Sequence, residues 1–211
     1  MPRLLAALYD RLMKATERAC LQAWRAELLA PLEGAVLEVG AGTGANLAHF
    51  PKAVERLVLA EPDPAMRRRL AARVAGRVVE IVDASVDKLP WPDQTFDAAV
   101  CTLVLCSVPD PATALAEIRR VLKPGGRLVF IEHVAAQDNS RRLRWQRRIE
   151  PIWMRLMGNC HLTRRTEEAI RTLGFELADS EVRRESLRKA FPLARPSIRG
   201  VARRPAPPSR L

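Results

Sequence analysis

The sequence predicts an α/β fold, a mostly parallel seven-stranded sheet with helices on both faces. Three observations carry this expectation. Short, nearly continuous Val/Leu/Ile runs alternate with helical stretches, the pattern of parallel strands covered on both sides. The first run feeds straight into a glycine-rich turn. The chain has 211 residues, 48% hydrophobic and 28% charged, enough for one domain with a full core and no disulfide or metal staples.

Taken in order, residues 3–29 read as one or two helices, because Leu4, Leu5, Leu8 and Leu12 recur at three- and four-residue spacing. Pro31 and Gly34 punctuate their end. Strands are expected at 35–39, 56–60, 78–82, 96–101 and 127–132, with helices at about 45–50, 64–74 and 111–121 between them. Crossovers should be right-handed. Beyond His133 the pattern changes. Residues 140–157 are rich in arginine and tryptophan and read as a helix, residues 164–173 as another, and 175–179 and 198–203 as the last strands. A single domain is expected over 1–204, with a helical cap at 1–34 and a helical insertion at 137–164. Three prolines in residues 205–211 predict a disordered tail.

The net charge is +11, and five lysines leave 30 arginines among the 35 basic residues. Such a surface attracts anions, whether nucleic acid, anionic lipid or acidic substrates. Cys20, Cys101, Cys106 and Cys160 form no Cys-x-x-Cys pair and no spacing typical of a zinc site, so no metal is expected and the thiols read as reduced. The longest apolar stretch, 98–108, falls far short of the ~20 residues that span a bilayer. The N-terminus carries charges throughout and lacks the core of a secretory signal. These features predict a cytoplasmic protein.

Residues 36–44, Val-Leu-Glu-Val-Gly-Ala-Gly-Thr-Gly, carry the strongest motif. Gly40, Ala41, Gly42 and Gly44 form a turn into which a ligand can come close. Alone, Gly40-x-Gly42-x-x-Ala45 fits a nicotinamide cofactor as well as S-adenosylmethionine. The context separates the two. Glu38 precedes the first glycine by two residues, Glu61 and Pro62 follow the second strand, and Asp83, Ala84 and Ser85 follow the third. Acidic groups at the carboxyl ends of successive parallel strands suit a cationic ligand better than a pyrophosphate. Asn46 and the Thr102-Leu103 pair after the fourth strand complete the candidate cofactor set.

These motifs resemble those of class I S-adenosylmethionine-dependent methyltransferases, whose Rossmann-like fold the resemblance implies. Phe96-Asp97-Ala98-Ala99-Val100 is similar to that superfamily's fourth strand, and Leu122-Lys123-Pro124-Gly125-Gly126 to the loop before its fifth. The resemblance implies that Glu38 lies near the methionine end, Glu61 on the ribose and Asp83 at the adenine amino group. Residues 100–108 (Val-Cys-Thr-Leu-Val-Leu-Cys-Ser-Val), 132–136 (Glu-His-Val-Ala-Ala), Trp145-Gln146 and 160–164 (Cys-His-Leu-Thr-Arg) narrow it to the methyltransferase-like 7 family. Its animal members are alkyl thiol methyltransferases with a hydrophobic N-terminal anchor, where this chain is charged. The resemblance covers about residues 35–200 and implies a small thiol as methyl acceptor. A lipid headgroup or quinone acceptor, or a non-catalytic cofactor-binding or RNA-binding module, are the other readings.

Methyl transfer to a thiol needs alignment and the exclusion of water rather than a metal or a nucleophilic triad. A thiol ionises near pH 8.5, so a modest shift yields the attacking thiolate. His133, past the fifth strand, and His161 are the catalytic candidates; His49 reads as structural. Thr102, Leu103, His133 and residues 160–164 are expected to converge on the acceptor. In 140–157, Trp145, Ile149, Ile152 or Trp153, and Leu156 share one helical face near five arginines. That face fits packing over the acceptor pocket, peripheral membrane contact or, less well, nucleic acid.

Overall fold

The computed structural model describes residues 3–74 and 78–206, with side chains from Tyr9 onward. The expected tail is described only as far as residue 206; 207–211 lie outside the described residues. Seven strands form one sheet: β1 (Gly34–Val39), β2 (Val54–Ala60), β3 (Glu80–Val82), β4 (Phe96–Thr102), β5 (Leu122–His133), β6 (Val182–Ser186) and β7 (Pro196–Arg203). Their spatial order is β3-β2-β1-β4-β5-β7-β6. β1 to β5 pair in parallel, and β7 runs antiparallel between β5 and β6.

Strand alternation splits the core into two layers. Leu37, Val39, Val58, Ala60, Ala99 and Cys101 point to one face and pack with α4 (Pro111–Val121) and α6 (Thr166–Thr172). Val36, Leu57, Leu59, Ala98 and Val100 point to the other, against α2 (Gln22–Leu29) and α3 (Pro64–Arg73). Asp63 caps α3 and Asp110 caps α4, each accepting two backbone N–H groups ahead of a proline at the first helical position.

The N-terminal helical reading matches a continuous run in which α1 (Arg3–Thr16) passes through a π-helical turn, Glu17–Leu21, into α2. Cys20, Leu21 and Trp24 seat this run against Ile131 and Leu187. Asp10 ties α1 to the glycine turn, accepting from Thr43 Oγ1 at 2.6 Å and pairing with Arg73.

Two expectations fail, and a third is met in part. Residues 45–50 form only a 3₁₀ turn, Leu47–His49, because Asn46 turns its side chain inward and Phe50, ahead of Pro51, goes extended. Residues 175–179 make one isolated bridge, Glu176 to Arg203, since Phe175 and Leu177 serve as core plugs; the strand there is β6, whose Val-Arg-Arg-Glu-Ser sequence reads as surface. In α5 (Arg141–Leu156), the expected face divides: Ile149 and Trp153 are half-buried, Trp153 stacking on Phe191, whereas Trp145, Ile152 and Leu156 are exposed and the buried residues are Leu143 and Gln146.

Candidate active site

The parallel strands end on one edge, and chain order reverses between β1 and β4, where open α/β sheets place ligands. A cleft of about 260 Å³ opens there. Its walls are Gly40 and Gly42 after β1, Glu61 and Pro62 after β2, Ala84 and Ser85 after β3, and Thr102, Leu103, Val104 and Ser107 after β4. Tyr9 of α1 and Gly158 beyond α5 close it.

Glu38, near the end of β1, is 2% exposed. Its Oε1 accepts from Asn46 Nδ2 at 2.9 Å, and its Oε2 is buried with no partner. Asn46 Oδ1 accepts from Arg25 Nη1 at 2.6 Å, and Thr102 Oγ1 accepts from both Arg25 (2.9 Å) and Asn46 (3.1 Å). The other edge of the Arg25 guanidinium is held by Glu17 in the π turn, at 2.9 Å. Burial pushes Glu38 up to about 7, against the pull of Asn46 and Arg25. An under-satisfied carboxylate of this kind favours a cation beside it.

The turn needs its glycines. Gly40 sits at φ +63°, and a Cβ there would come within 2.7 Å of Val104 Cγ2; at Gly42, φ +58°, a Cβ would meet only Gly40 O at 3.9 Å. Glu61 straps the turn, accepting from Gly42 N and Asp63 N, both at 2.8 Å. Burial raises its pKa even against those two bonds. Each of its oxygens retains a lone pair for a ligand hydroxyl. Ala41 and Gly44 shape the turn from behind: Ala41 is buried in the α2/α3 layer, and Gly44 packs on Leu47 and Leu70.

Asp83 departs from expectation. Its carboxylate pairs with Arg67 at 2.6 Å, is two-thirds exposed, and lines a neighbouring groove rather than the cleft. Arg67, one helical turn into α3, captures it; Ala84 and Ser85 remain in the cleft wall.

Leu103 adopts φ +60°, an uncommon conformation for a branched residue. Glu132, fully buried on β5, holds the loop that follows by accepting from the backbone N–H groups of Val104 (2.8 Å), Leu105 (2.9 Å) and Cys106 (3.2 Å). Burial still raises Glu132 to about 7.

His133, also buried, places Nε2 2.9 Å from Cys160 Sγ. Trp153 Nε1 donates to the same sulfur at 3.3 Å, and the Cys106 thiol hydrogen-bonds to it. The Cys106 and His133 hydrogen bonds draw Cys160 down despite burial, while Cys106 is held protonated. Burial works against charge on His133, but the bond to Cys160 outweighs it and the pKa rises. His133 and Cys160 thus meet, but neither is among the residues lining the cleft that holds Thr102 and Leu103. His161 does not join them: its backbone N–H reaches Cys106 O, but its ring turns to Glu150 Oε1 at 3.1 Å and lines a separate groove with Asp110 and Thr163.

Arg25, Glu17, Tyr9 and Glu132 escaped the sequence reading. Only Glu132 left a trace, as an acid closing an apolar run beside His133. A wider groove of about 750 Å³, near 134–138 and 164–172, is less suited to a cationic ligand. Several of its charges pair with each other, Arg165 with Asp138 and Arg171 and Arg184 with Glu167.

Residues 37–130 match the family model described as a methyltransferase domain. The chain is 40% identical over 148 residues to thiol S-methyltransferase TMT1B of Rattus norvegicus, covering 68% of this chain and 60% of that one. It is 36% identical over 172 residues to thiol S-methyltransferase TMT1A of Homo sapiens, covering 79% and 69%. Demethylmenaquinone methyltransferase of Thermobifida fusca is 33% identical over 159 residues, covering 71% and 67%. In fold, the chain superposes on an S-adenosylmethionine-dependent methyltransferase of Thermotoga maritima with a TM-score of 0.70 at 20% identity, over 96% and 97% of the two chains. The chain spans 60% of the length of the rat relative.

Proposed function

Because the chain belongs to the family of S-adenosylmethionine-dependent methyltransferases that includes the thiol S-methyltransferases, we propose that it methylates a small-molecule thiol. One observation carries the cofactor site: the partnerless Oε2 of Glu38, buried at the head of a glycine turn that leaves room for a ligand. Glu38 would face the cationic methionine end, the Gly40–Gly42 turn would let the ligand approach the backbone, and Glu61 would accept from the ribose hydroxyls. Ala84 and Ser85 would border the adenine, and Asp83 would reach it only by parting from Arg67. When bound, the cofactor supplies a methyl group already activated on sulfonium sulfur.

What remains for the chain is alignment and dryness. Tyr9 and Leu103 cover the cleft and shed water from it. Burial holds the Tyr9 hydroxyl protonated, well above its usual range, so it can donate but not carry charge. His133 is the group we place beside the acceptor sulfur, as its proton acceptor or as a positioning group. His161 would act only indirectly, through Glu150.

Incubating the pure chain with labelled cofactor and a panel of alkyl thiols, quinones, lipids and RNA tests the reading. Labelled thioether is expected. Label found only in quinone would favour the second reading, which the Thermobifida relative motivates; label in RNA alone would overturn both.

The compartment and any membrane contact are also proposals. No helix among the described residues is long and apolar enough to cross a membrane. The four cysteines are free thiols, which suits a cytoplasmic protein. Exposed Trp145, Ile152 and Leu156 among the arginines of α5 suit peripheral contact with anionic lipid. Anionic vesicles should sediment the chain at low salt and release it at high salt; no sedimentation at any salt would remove that contact.

A further inference from the structure

Cys106, His133 and Cys160 come from three separate segments: the loop after β4, the end of β5 and the turn after α5. Their Sγ, Nε2 and Sγ atoms all lie within 4.8 Å of one another. The sulfur of Cys160 is the hub, within reach of His133, Trp153 and the Cys106 thiol. Donors converging on one enclosed sulfur stabilise a thiolate, the form of cysteine that binds metal.

Two further atoms bear on what this trio does. His133 Nδ1 and Glu150 Oε2 are both buried without a partner, and Glu150 acts on the His133 ring electrostatically. With a metal at Nε2, the ring proton sits on Nδ1, a donor in the field of that carboxylate. Glu150 also holds His161, which would steady the carboxylate.

We propose that Cys106, His133 and Cys160 bind one zinc ion, whose fourth position faces the acceptor end of the cleft and takes the sulfur of the thiol acceptor. Two thiolates and an imidazole are a donor set for zinc rather than magnesium or calcium. Tetrahedral zinc separates such ligand atoms by roughly 3.5–3.8 Å, so the 2.9 Å contact between His133 and Cys160 must open by roughly 0.6 Å. The trio abuts the cleft: Ser107 and Gly158, one and two residues from Cys106 and Cys160, line it. Binding releases to solvent the Cys106 proton and the proton that His133 Nε2 shares with Cys160, and a coordinated acceptor thiol releases its own. The fourth-ligand half rests on the thiol reading above; the three-ligand half does not.

The test uses the full chain without its acceptor. Metal analysis after loading with Zn²⁺ and desalting should give one ion per chain. Loading with Co²⁺ should give a near-ultraviolet thiolate-to-cobalt band, and an alkyl thiol should shift that band. Cys106→Ser and Cys160→Ser should each weaken Co²⁺ binding at least tenfold, while Cys20→Ser leaves it unchanged. If a variant fails to fold, the spectrum of the unaltered chain decides. No retained Zn²⁺ and no thiolate band would overturn the site, yet leave the thiol reading standing if thioether forms. A thiolate band with no thioether would support the site and sink the thiol reading. Thioether formed without any thiol-induced shift would overturn the fourth-ligand half.

Discussion

Replacing Glu38 with glutamine separates the two roles assigned to that carboxylate. Burial raises Glu38 from the ordinary 4.5 to about 7, so its protonated form is the one the folded chain prefers. Its favourable contribution is therefore complete below about pH 4.5 and is lost as pH rises through about 7. At about 1.4 kcal/mol per pKa unit, ionising it costs the ligand-free chain about 3 kcal/mol at pH 8.5 but only about 1 kcal/mol at pH 5. Glutamine keeps an oxygen for Asn46 and carries no charge. Glu38→Gln should be more stable than the parent by about 3 kcal/mol at pH 8.5, shrinking to about 1 kcal/mol at pH 5, in urea denaturation. Glu132 titrates in the same range, so the variant keeps part of the pH dependence; the difference between the proteins isolates Glu38. Calorimetry with S-adenosylmethionine should show the reverse preference. Parent affinity should rise toward neutral pH as the carboxylate forms, and the variant should bind weakly with a flatter profile. Equal stability of the two proteins at pH 8.5 would refute the burial argument. Unchanged cofactor affinity would refute the placement of Glu38 at the cation.

Glu61→Ala should weaken cofactor binding by ~1–3 kcal/mol, because it strips the ribose acceptor and frees the Gly42 and Asp63 amides; unchanged affinity in calorimetry would reject that assignment. Arg25→Met should destabilise the chain by roughly 3 kcal/mol, since Glu17 loses its partner in a partly buried site and Asn46 and Thr102 lose a shared donor; denaturation indistinguishable from the parent would make the network ornamental. Against thiols of differing pKa, His133→Ala should lower the transfer rate, and the deficit should shrink as pH rises or thiol pKa falls if the ring is a base. A deficit independent of both would mark it as a positioning group. His161→Ala should have the smaller effect, because its ring faces Glu150 in another groove; the opposite ranking would reverse the assignment.

What could be read in the sequence follows how far apart the cooperating residues lie along the chain. β1, β2, β4 and β5 show as largely apolar runs because their central residues are covered on both faces. β6 is hidden for the opposite reason: at the edge of the sheet only Val182 points fully inward, and its arginines read as surface. Glu38, Gly40 and Gly42 are legible because strand, acid and turn are adjacent in sequence. Asp83 shows the limit of that reasoning. Its position after β3 was readable, but its direction depends on Arg67, 16 residues away on another element. Arg25 carries no local signal, being an arginine on an ordinary helical stretch, and Glu132 leaves only the trace of an acid closing an apolar run, its role coming from three amides delivered by the loop after β4. The two cysteines and the histidine sit at the far end of the same scale. Their spacing matches no local metal pattern, yet parallel pairing of β4 with β5 puts the ends of both strands on one edge. The backbone of His161 bonded to Cys106 O then fixes the chain beside Cys160 over the same spot. A cluster assembled by sheet register in this way is invisible to any search for short motifs, and only the resemblance to a family pointed to His133 and residues 160–164 together.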